Sequence, residues 1–116
     1  MAALFYIHFN EAELKDRLQE LTGTGLQLSG HWSTENVAKF GDRLPDIFVV
    51  SLDRLPSHGR QYVDWLWQAK KRRHILVIFV DGKPDKVEAA KEKFPAAVYC
   101  TRKELPAVVK KRFPAP

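Results

Sequence analysis

Short apolar runs alternate along this chain with longer segments in which apolar residues recur every three or four positions. The runs are rich in β-branched and aromatic residues and predict strands at residues 3–9, 25–32, 47–52, 75–80 and 96–100. The runs at 47–52 and 75–80 are almost wholly apolar, which is typical of parallel strands covered on both faces. Residues 25–32 instead alternate apolar and polar positions, so we expect a half-covered edge strand with His31 facing solvent.

The segments with helical spacing predict five helices, at residues 11–21, 34–40, 60–71 and 84–94 and after Thr101. Asn10 and Ser33 stand at N-cap positions, and Thr101 with Glu104 forms a capping box. Gly23 and Gly41 stand where a left-handed residue would end the first two helices. The residues predicted to face the core are Leu14, Leu18, Leu21, Val37, Ala38, Phe40, Tyr62, Val63, Leu66, Val87, Ala90, Phe94, Leu105, Val108 and Val109.

The order of these elements predicts the fold class. Strict alternation of strands and helices with short connections favours an α/β protein with a mostly parallel, doubly wound sheet and helices on both faces. The chain has 116 residues, 45% of them hydrophobic, which suits one domain at residues 1–113 followed by a frayed tail at 114–116.

Composition adds expectations about location and partners. No apolar run is long enough to span a membrane and the first residues do not resemble a signal peptide, so we expect a cytoplasmic protein. The single cysteine, Cys100, lies in an apolar strand and is expected to be a buried structural thiol. The net charge of +5 favours acidic partners without naming a site for them.

Polar residues that follow strand three mark the expected site. In open α/β sheets, ligands bind beyond the carboxyl ends of the strands, which is where Ser51, Asp53 and His58 are placed. A hydrolytic triad of these three residues is disfavoured because they are too close in sequence and no Gly-x-Ser-x-Gly elbow frames Ser51. A phosphate loop at residues 22–25 is also disfavoured, since that segment follows a helix rather than a strand. The four histidines, His8, His31, His58 and His74, lack the spacing of metal ligands, and His8 is expected to be packed within strand one.

Three segments carry a resemblance to a known family. Pro45 and Asp46, the apolar strand, Pro56 and Gly59 resemble the phosphoacceptor segment of response-regulator receiver domains. Residues 7–14 resemble the end of that family's first strand and its first helix, and residues 97–102 resemble its fifth strand. The resemblance implies a receiver-like, flavodoxin-like (βα)5 three-layer sandwich with a five-stranded parallel sheet, and a place in signal transduction.

The same alignment implies that the phosphorylation site is degraded. The family's acidic pair, which binds magnesium, corresponds to Phe9 and Asn10, and its phosphoacceptor position falls on Ser51 or Leu52. Asp53 is the only acid nearby. The position of the family's switch hydroxyl carries Val80, which Asp81 follows. The position of the lysine after strand five carries Arg102. The degenerate site thus consists of Asn10, Ser51, Asp53, Asp81 and Arg102.

These departures predict a pseudo-receiver that has no catalytic activity, cofactor or metal and that acts through protein contacts. The alternative is an atypical receiver that is phosphorylated on Asp53 and binds magnesium weakly. A third reading is nucleic-acid binding through the basic run Lys70 to Arg73, although cations at a helix C-terminus also have a purely structural explanation.

The tryptophans of helix three bear on the choice of partner. Trp65 and Trp67 lie off or at the border of the predicted buried stripe, so one or both are expected to be partly exposed. Such residues form either a protein-contact surface or the margin of the core. The partner is not identified by the sequence, and a homodimer through helix three or helix four is one form that the contact could take.

Overall fold

Five parallel strands form one sheet in the order β2-β1-β3-β4-β5 in the computed structural model, which describes residues 2–38, 40 and 44–113. The strands are β1 (Ala3–Ile7), β2 (Gln27–His31), β3 (Ile47–Ser51), β4 (Leu76–Val80) and β5 (Val98–Cys100). The helices are α1 (Glu11–Gln19), α2 (Pro56–Gln68), α3 (Pro84–Lys93) and α4 (Leu105–Arg112). The predicted fold class is confirmed, because this arrangement is a flavodoxin-like three-layer α/β fold.

The alternation of side chains along each strand separates the core into two layers. Phe5 of β1 and Phe48 of β3, which are neighbours in the sheet register, face α2 and α3. Leu4 and Tyr6 of β1 face the opposite side, where they pack in one cluster with residues of α1 and α4. Every residue of the central strand β3 is buried, as its apolar sequence predicts.

The strand order places the crevice where ligands bind in folds of this class. The order reverses between β1 and β3, so the loops that follow these two strands diverge over opposite faces of the sheet. Phe9 and Asn10 follow β1, and Asp53 follows β3. The sequence prediction that the site residues share the carboxyl edge of the sheet holds for this topology.

The predicted second helix is wrong for the described part of residues 34–40. Residues 34–36 form bends, and Val37, predicted to face inward, is 77% exposed. The backbone finds other partners: Ser33 Oγ accepts the N–H of Glu35, and the hydroxyl of Tyr62 accepts the N–H of Ala38. These bonds outweigh the weak helical tendency of a short, Asn- and Val-containing segment. Gly41, predicted to close this helix, lies outside the described residues, as does the predicted tail at 114–116.

Several predicted boundaries also need correction. Helix three begins at Pro56 rather than at residue 60, because proline suits a first helical turn, and it ends at Gln68, before a 3-10 turn at Lys70–Arg72. The first helix ends at Gln19, and Gly25 rather than Gly23 has the left-handed conformation, with φ of 77°. His31 is half-buried instead of facing solvent, since its Nε2 lies 3.0 Å from the carbonyl oxygen of Asn36.

The remaining elements agree with the sequence. Asn10 Oδ1 accepts the N–H of Glu13, which confirms the N-cap of α1. Thr101 and Glu104 make both bonds of the predicted capping box, just before α4 begins at Leu105. The predicted full burial of Cys100 is wrong, because this residue is half-buried in the short edge strand β5, although burial still raises the pKa of its thiol to about 11. In the part of the chain that is described, no helix combines the length and apolar character needed to cross a bilayer.

Candidate functional site

Both residues that match the receiver phosphoacceptor position are buried. Ser51 ends β3 with no exposed surface, and Leu52 follows it into the core. The Oγ of Ser51 accepts a hydrogen bond of 3.2 Å from the N–H of Asp53, which turns the chain out of the strand. The hydroxyl at this position therefore stabilises a turn and does not reach solvent.

Asp53 connects two loops at the carboxyl edge. Its Oδ1 accepts a hydrogen bond of 3.1 Å from the N–H of Gly82, although 45% of the side chain stays exposed. Gly82 has φ of 99°, and a Cβ built on it would lie 2.6 Å from the Cβ of Leu52. Only glycine therefore allows the loop after β4 to approach Asp53 in this way.

Asp81 and Arg102 meet through the backbone rather than through their charges. The Oδ1 of Asp81 accepts a hydrogen bond of 2.9 Å from the N–H of Arg102. The guanidinium of Arg102 binds Glu20 instead, with Nε 2.8 Å from Oε1 and Nη2 2.8 Å from Oε2. The hydrogen bonds from Glu20 raise the pKa of Arg102 and join the end of α1 to the loop after β5.

Phe9 and Asn10, which follow β1 and His8, supply no anionic oxygen. Asn10 uses its side-chain oxygen to cap α1, with a bond of 3.0 Å from the N–H of Glu13. Phe9 is half-buried and meets the ring of His58 edge-on, with centroids 5.7 Å apart. The predicted site residues thus share one edge of the sheet, where backbone N–H groups join Ser51 to Asp53 and Asp81 to Arg102, whereas Asn10 caps α1.

A network of charged residues that the sequence prediction missed lies at the same edge. The carboxylate of Glu13 accepts hydrogen bonds from His8 Nε2 at 2.7 Å and from Arg54 Nη2 at 2.6 Å. The Nη1 of Arg17 lies 3.7 Å from the same carboxylate, and its Nη2 lies 4.0 Å from Oδ2 of Asp53. This network joins α1 to the segment after β1 and to the loop after β3.

Hydrogen bonding and burial fix the charges in this network. Hydrogen bonds from Arg54 and then His8 lower the pKa of Glu13 to about 2, so the carboxylate stays ionised near neutral pH. An ionised carboxylate only accepts, and the Nε2 of His8 therefore carries the proton of this bond. Burial lowers the pKa of His8, which keeps the imidazole neutral.

Arg17 is the unusual member of the network because it is only 7% exposed. Its Nε is buried and has no hydrogen-bond partner among the described residues, and both carboxylates lie beyond 3.5 Å. The interaction is thus between charges rather than through directed hydrogen bonds. One feature of the sequence could have indicated that Arg17 is buried. Arg17 lies three residues after Leu14 and four before Leu21, on the inward face of the predicted helix.

Magnesium does not fit the residues at this edge. A hard cation takes six or so oxygen ligands, mostly carboxylates and waters. Here Asp53 and Asp81 each accept a backbone N–H, Asn10 caps a helix and a guanidinium lies between Glu13 and Asp53. Within the described ranges, no three His, Cys, Asp or Glu side chains are grouped as a metal site.

The predicted partial exposure of the tryptophans is confirmed. Trp65 is 41% exposed, and its ring stacks on Phe40 with centroids 5.6 Å apart and planes 6° apart. The guanidinium of Arg72 lies 4.4 Å from the centroid of the same ring. Trp67 is half-buried and donates from Nε1 to the carbonyl oxygen of Ile75 at 3.1 Å. The two rings are therefore held rigidly at the surface of α2.

Two residues of the basic run have a structural task. Arg72 donates to the carbonyl oxygens of Trp65 and Leu66, at 2.7 and 2.9 Å, and Arg73 donates to that of Trp67 at 3.0 Å. These bonds satisfy carbonyl groups in the last turn of α2, which intrahelical bonds leave free. The structural explanation that the sequence offered for this run is therefore supported at both arginines.

A groove of about 680 Å³ runs between α2 and α3 beside these tryptophans. Trp67 and Phe94 meet edge to face in it, with centroids 6.1 Å apart. The groove continues past Ala96 into a cavity of about 340 Å³. Its charged or titratable lining residues are Asp64, Arg73, His74, Lys93 and Arg112. Asp64 is paired with Lys93, so this aromatic-basic groove is positively charged.

A separate cavity of about 400 Å³ lies where the second helix was predicted. Phe9 and His58 line one part of it, and Phe40, Tyr62 and Trp65 line another, together with residues 33–38.

The chain matches no protein-family model, and no curated protein is significantly similar to it.

Proposed function

We propose that this chain is a receiver-like signalling domain that has lost the aspartyl-phosphate switch and acts through protein contacts, without catalytic activity. The fold and the receiver-like motif at residues 45–59 support the first part by analogy. One observation carries the second part: Asp53, the only acid near the acceptor position, binds Gly82 and faces the buried cation of Arg17. A phosphoryl group on Asp53 would have to form on an oxygen that already faces Gly82 or Arg17.

Intact-mass measurement after incubation with acetyl phosphate and magnesium tests this proposal. We expect the mass of the protein to stay unchanged, because the carboxylate is engaged and the described residues form no group of metal-binding side chains around it. The control is Asp53→Asn under the same conditions. A gain of one phosphoryl group that Asp53→Asn abolishes would establish the alternative, an atypical receiver that uses Asp53.

For the contact surface we propose the aromatic-basic groove and the adjacent ring of Trp65. Exposed aromatic residues next to arginine are enriched at protein interfaces, and the stacking of Trp65 on Phe40 reduces the entropy that binding would cost. The groove lining contains one carboxylate, Asp64, and three cations, Arg73, Lys93 and Arg112. The complementary partner is therefore an acidic protein segment with an apolar anchor.

The charge of the groove also ranks the other partners. A second copy of the chain would bring the same cations against each other, which disfavours a homodimer through this surface. Nucleic acid is disfavoured because Arg72, the cation of the basic run that lies over the ring of Trp65, is engaged by the carbonyl groups of Trp65 and Leu66. A single cysteine, half-buried and without a disulfide partner, suits a reducing compartment, and we propose that the domain acts in the cytoplasm.

Binding of a fluorescent acidic peptide, with a Leu-Phe pair flanked by Asp and Glu, tests the surface. We expect binding that weakens with salt and that is lost when Arg73→Glu and Arg112→Glu are combined. Lys83→Glu combined with Lys103→Glu makes the same total charge change at the carboxyl edge of the sheet and should leave binding intact. Equal binding of the double variant, or preference for a single-stranded oligonucleotide, would contradict this assignment.

A further inference from the structure

We infer that the guanidinium of Arg17 is a built-in cation that takes the place of a divalent metal ion at the carboxyl edge of the sheet. The inference depends on the proposed function, because it explains how a receiver-like edge keeps one conformation without metal or phosphate. Arg17 and Glu13 both lie on α1, whereas Asp53 belongs to the loop after β3.

The guanidinium of Arg17 faces two carboxylates, one of which, Glu13, also binds Arg54 at the surface. Glu13 on α1 is 3.7 Å from Nη1 of Arg17, and Asp53 after β3 is 4.0 Å from Nη2. Without the guanidinium of Arg17, Arg54 would still pair with Glu13, but no other cation among the described residues lies within 4.0 Å of the Asp53 carboxylate. A guanidinium that faces both carboxylates offsets the repulsion between them.

The burial of Arg17 shows that the cation belongs to the fold. The side chain is 93% removed from solvent and a buried charge is costly unless it is paired. Its Nε and the hydroxyl of Tyr6 are both buried without a hydrogen-bond partner among the described residues. The positive charge of Arg17 acts on the phenol of Tyr6, opposing the rise in the Tyr6 pKa that burial causes. Arg17 thus interacts mainly through its charge, as a metal ion would, and not through a directed fork of hydrogen bonds.

The consequence is a permanent link between three elements. Arg17 attracts Asp53, and Asp53 holds the loop after β4 through Gly82. The positions of α1 and of the loops after β3 and β4 therefore depend on an amino acid rather than on a ligand. A domain built in this way presents its surface in one state.

Two substitutions of Arg17 separate charge from space. Arg17→Ser removes the guanidinium and leaves room for a hydrated ion, whereas Arg17→Met removes the charge but fills the space. We expect both variants to lower the urea midpoint of unfolding. Magnesium at millimolar concentration should restore at least half of the loss in Arg17→Ser and none in Arg17→Met, and it should leave the wild-type midpoint unchanged. Failure of magnesium to restore Arg17→Ser, or equal restoration of both variants, would overturn the inference.

A third variant keeps the test decisive if Arg17→Ser does not fold. In the Arg17→Met background, Asp53→Asn removes one of the two repelling carboxylates and should raise the urea midpoint. The same substitution in the wild type should lower the midpoint, because it removes an attraction. A lower midpoint in both backgrounds would contradict the inference. This result is independent of phosphorylation, which is measured on wild-type protein, so the two proposals can fail separately.

Discussion

The carboxylate of Asp53 accepts a hydrogen bond of 3.1 Å from the backbone N–H of Gly82 and so joins the loop after β3 to the loop after β4. The two residues are 29 positions apart in sequence, and they meet because β3 and β4 are neighbours in the sheet. The stability of this edge therefore depends on the acceptor oxygen of Asp53 and on the absence of a side chain at Gly82.

Asp53→Ala should lower the free energy of unfolding by about 1 kcal/mol, measured by urea denaturation. It removes a hydrogen bond to a charged acceptor, whose contribution is reduced because the group is partly exposed to solvent. Asp53→Asn retains an acceptor oxygen for Gly82 and is the matched control, so its loss should be smaller. Equal losses for the two variants would show that the bond to Gly82 contributes little.

Gly82→Ala should lower the free energy of unfolding by about 1–2 kcal/mol or more. A side chain at positive φ is strained by that amount, and the added Cβ would also come within 2.6 Å of the Cβ of Leu52. Gly23→Ala is the control, since nothing lies within 4 Å of a Cβ at that position and its φ is not positive. Its effect should stay below about 1 kcal/mol. Equal losses of stability in Gly82→Ala and Gly23→Ala would show that the loop after β4 does not approach Leu52 this closely.

The stability of the protein should fall as the pH decreases from about 7.5 to about 5.5. Burial lowers the pKa of His8, so the unfolded chain, where histidine titrates near pH 6.5, binds the proton more readily than the folded protein does. Stability is therefore highest above that value and is lost on acidification, by at most about 1.4 kcal/mol per pH unit for one proton.

Urea unfolding at several pH values, with two variants, checks this assignment. His8→Gln should flatten the pH dependence in this range, whereas His74→Gln changes an exposed histidine and should not. Glu13 adds little to the slope between these pH values, because its carboxylate is ionised both in the folded protein, where its pKa is about 2, and in the unfolded chain, where glutamate titrates near pH 4.3. An unchanged slope in His8→Gln would assign the dependence to another group.

The sequence predicts the parts of this fold that depend on local pattern. The strand that contains Phe48 and Val50 is recognisable from its apolar run, and the cap at Asn10 is recognisable from its spacing to Glu13. The segment 33–38 is not, because its backbone is bonded to Tyr62, a residue far away in the sequence. The spacing of apolar residues within a short segment carries no information about a partner so far away in the sequence.

The candidate site divides in the same way. Sequence reasoning placed Asp53 and Asp81 at the carboxyl edge because the ends of parallel strands meet there. It could not foresee that Arg102 binds Glu20, since their separation of 82 residues leaves no local pattern. The sequence does not predict the role of Arg17. A single cation on the apolar face of a helix gives no sign that it is buried beside two carboxylates.

An NMR titration tests most directly the claim that the phosphoryl switch is lost. Beryllofluoride and magnesium are added to isotope-labelled protein, and the amide signals of Gly82 and Arg102 are recorded. Beryllofluoride imitates a phosphoryl group on a receptive carboxylate, and these two N–H groups donate to Asp53 and Asp81. The loss of the phosphoryl switch predicts that neither signal moves at millimolar concentrations of both reagents. Shifts at Gly82 and Arg102 that Asp53→Asn abolishes would contradict it and would identify a working receiver site.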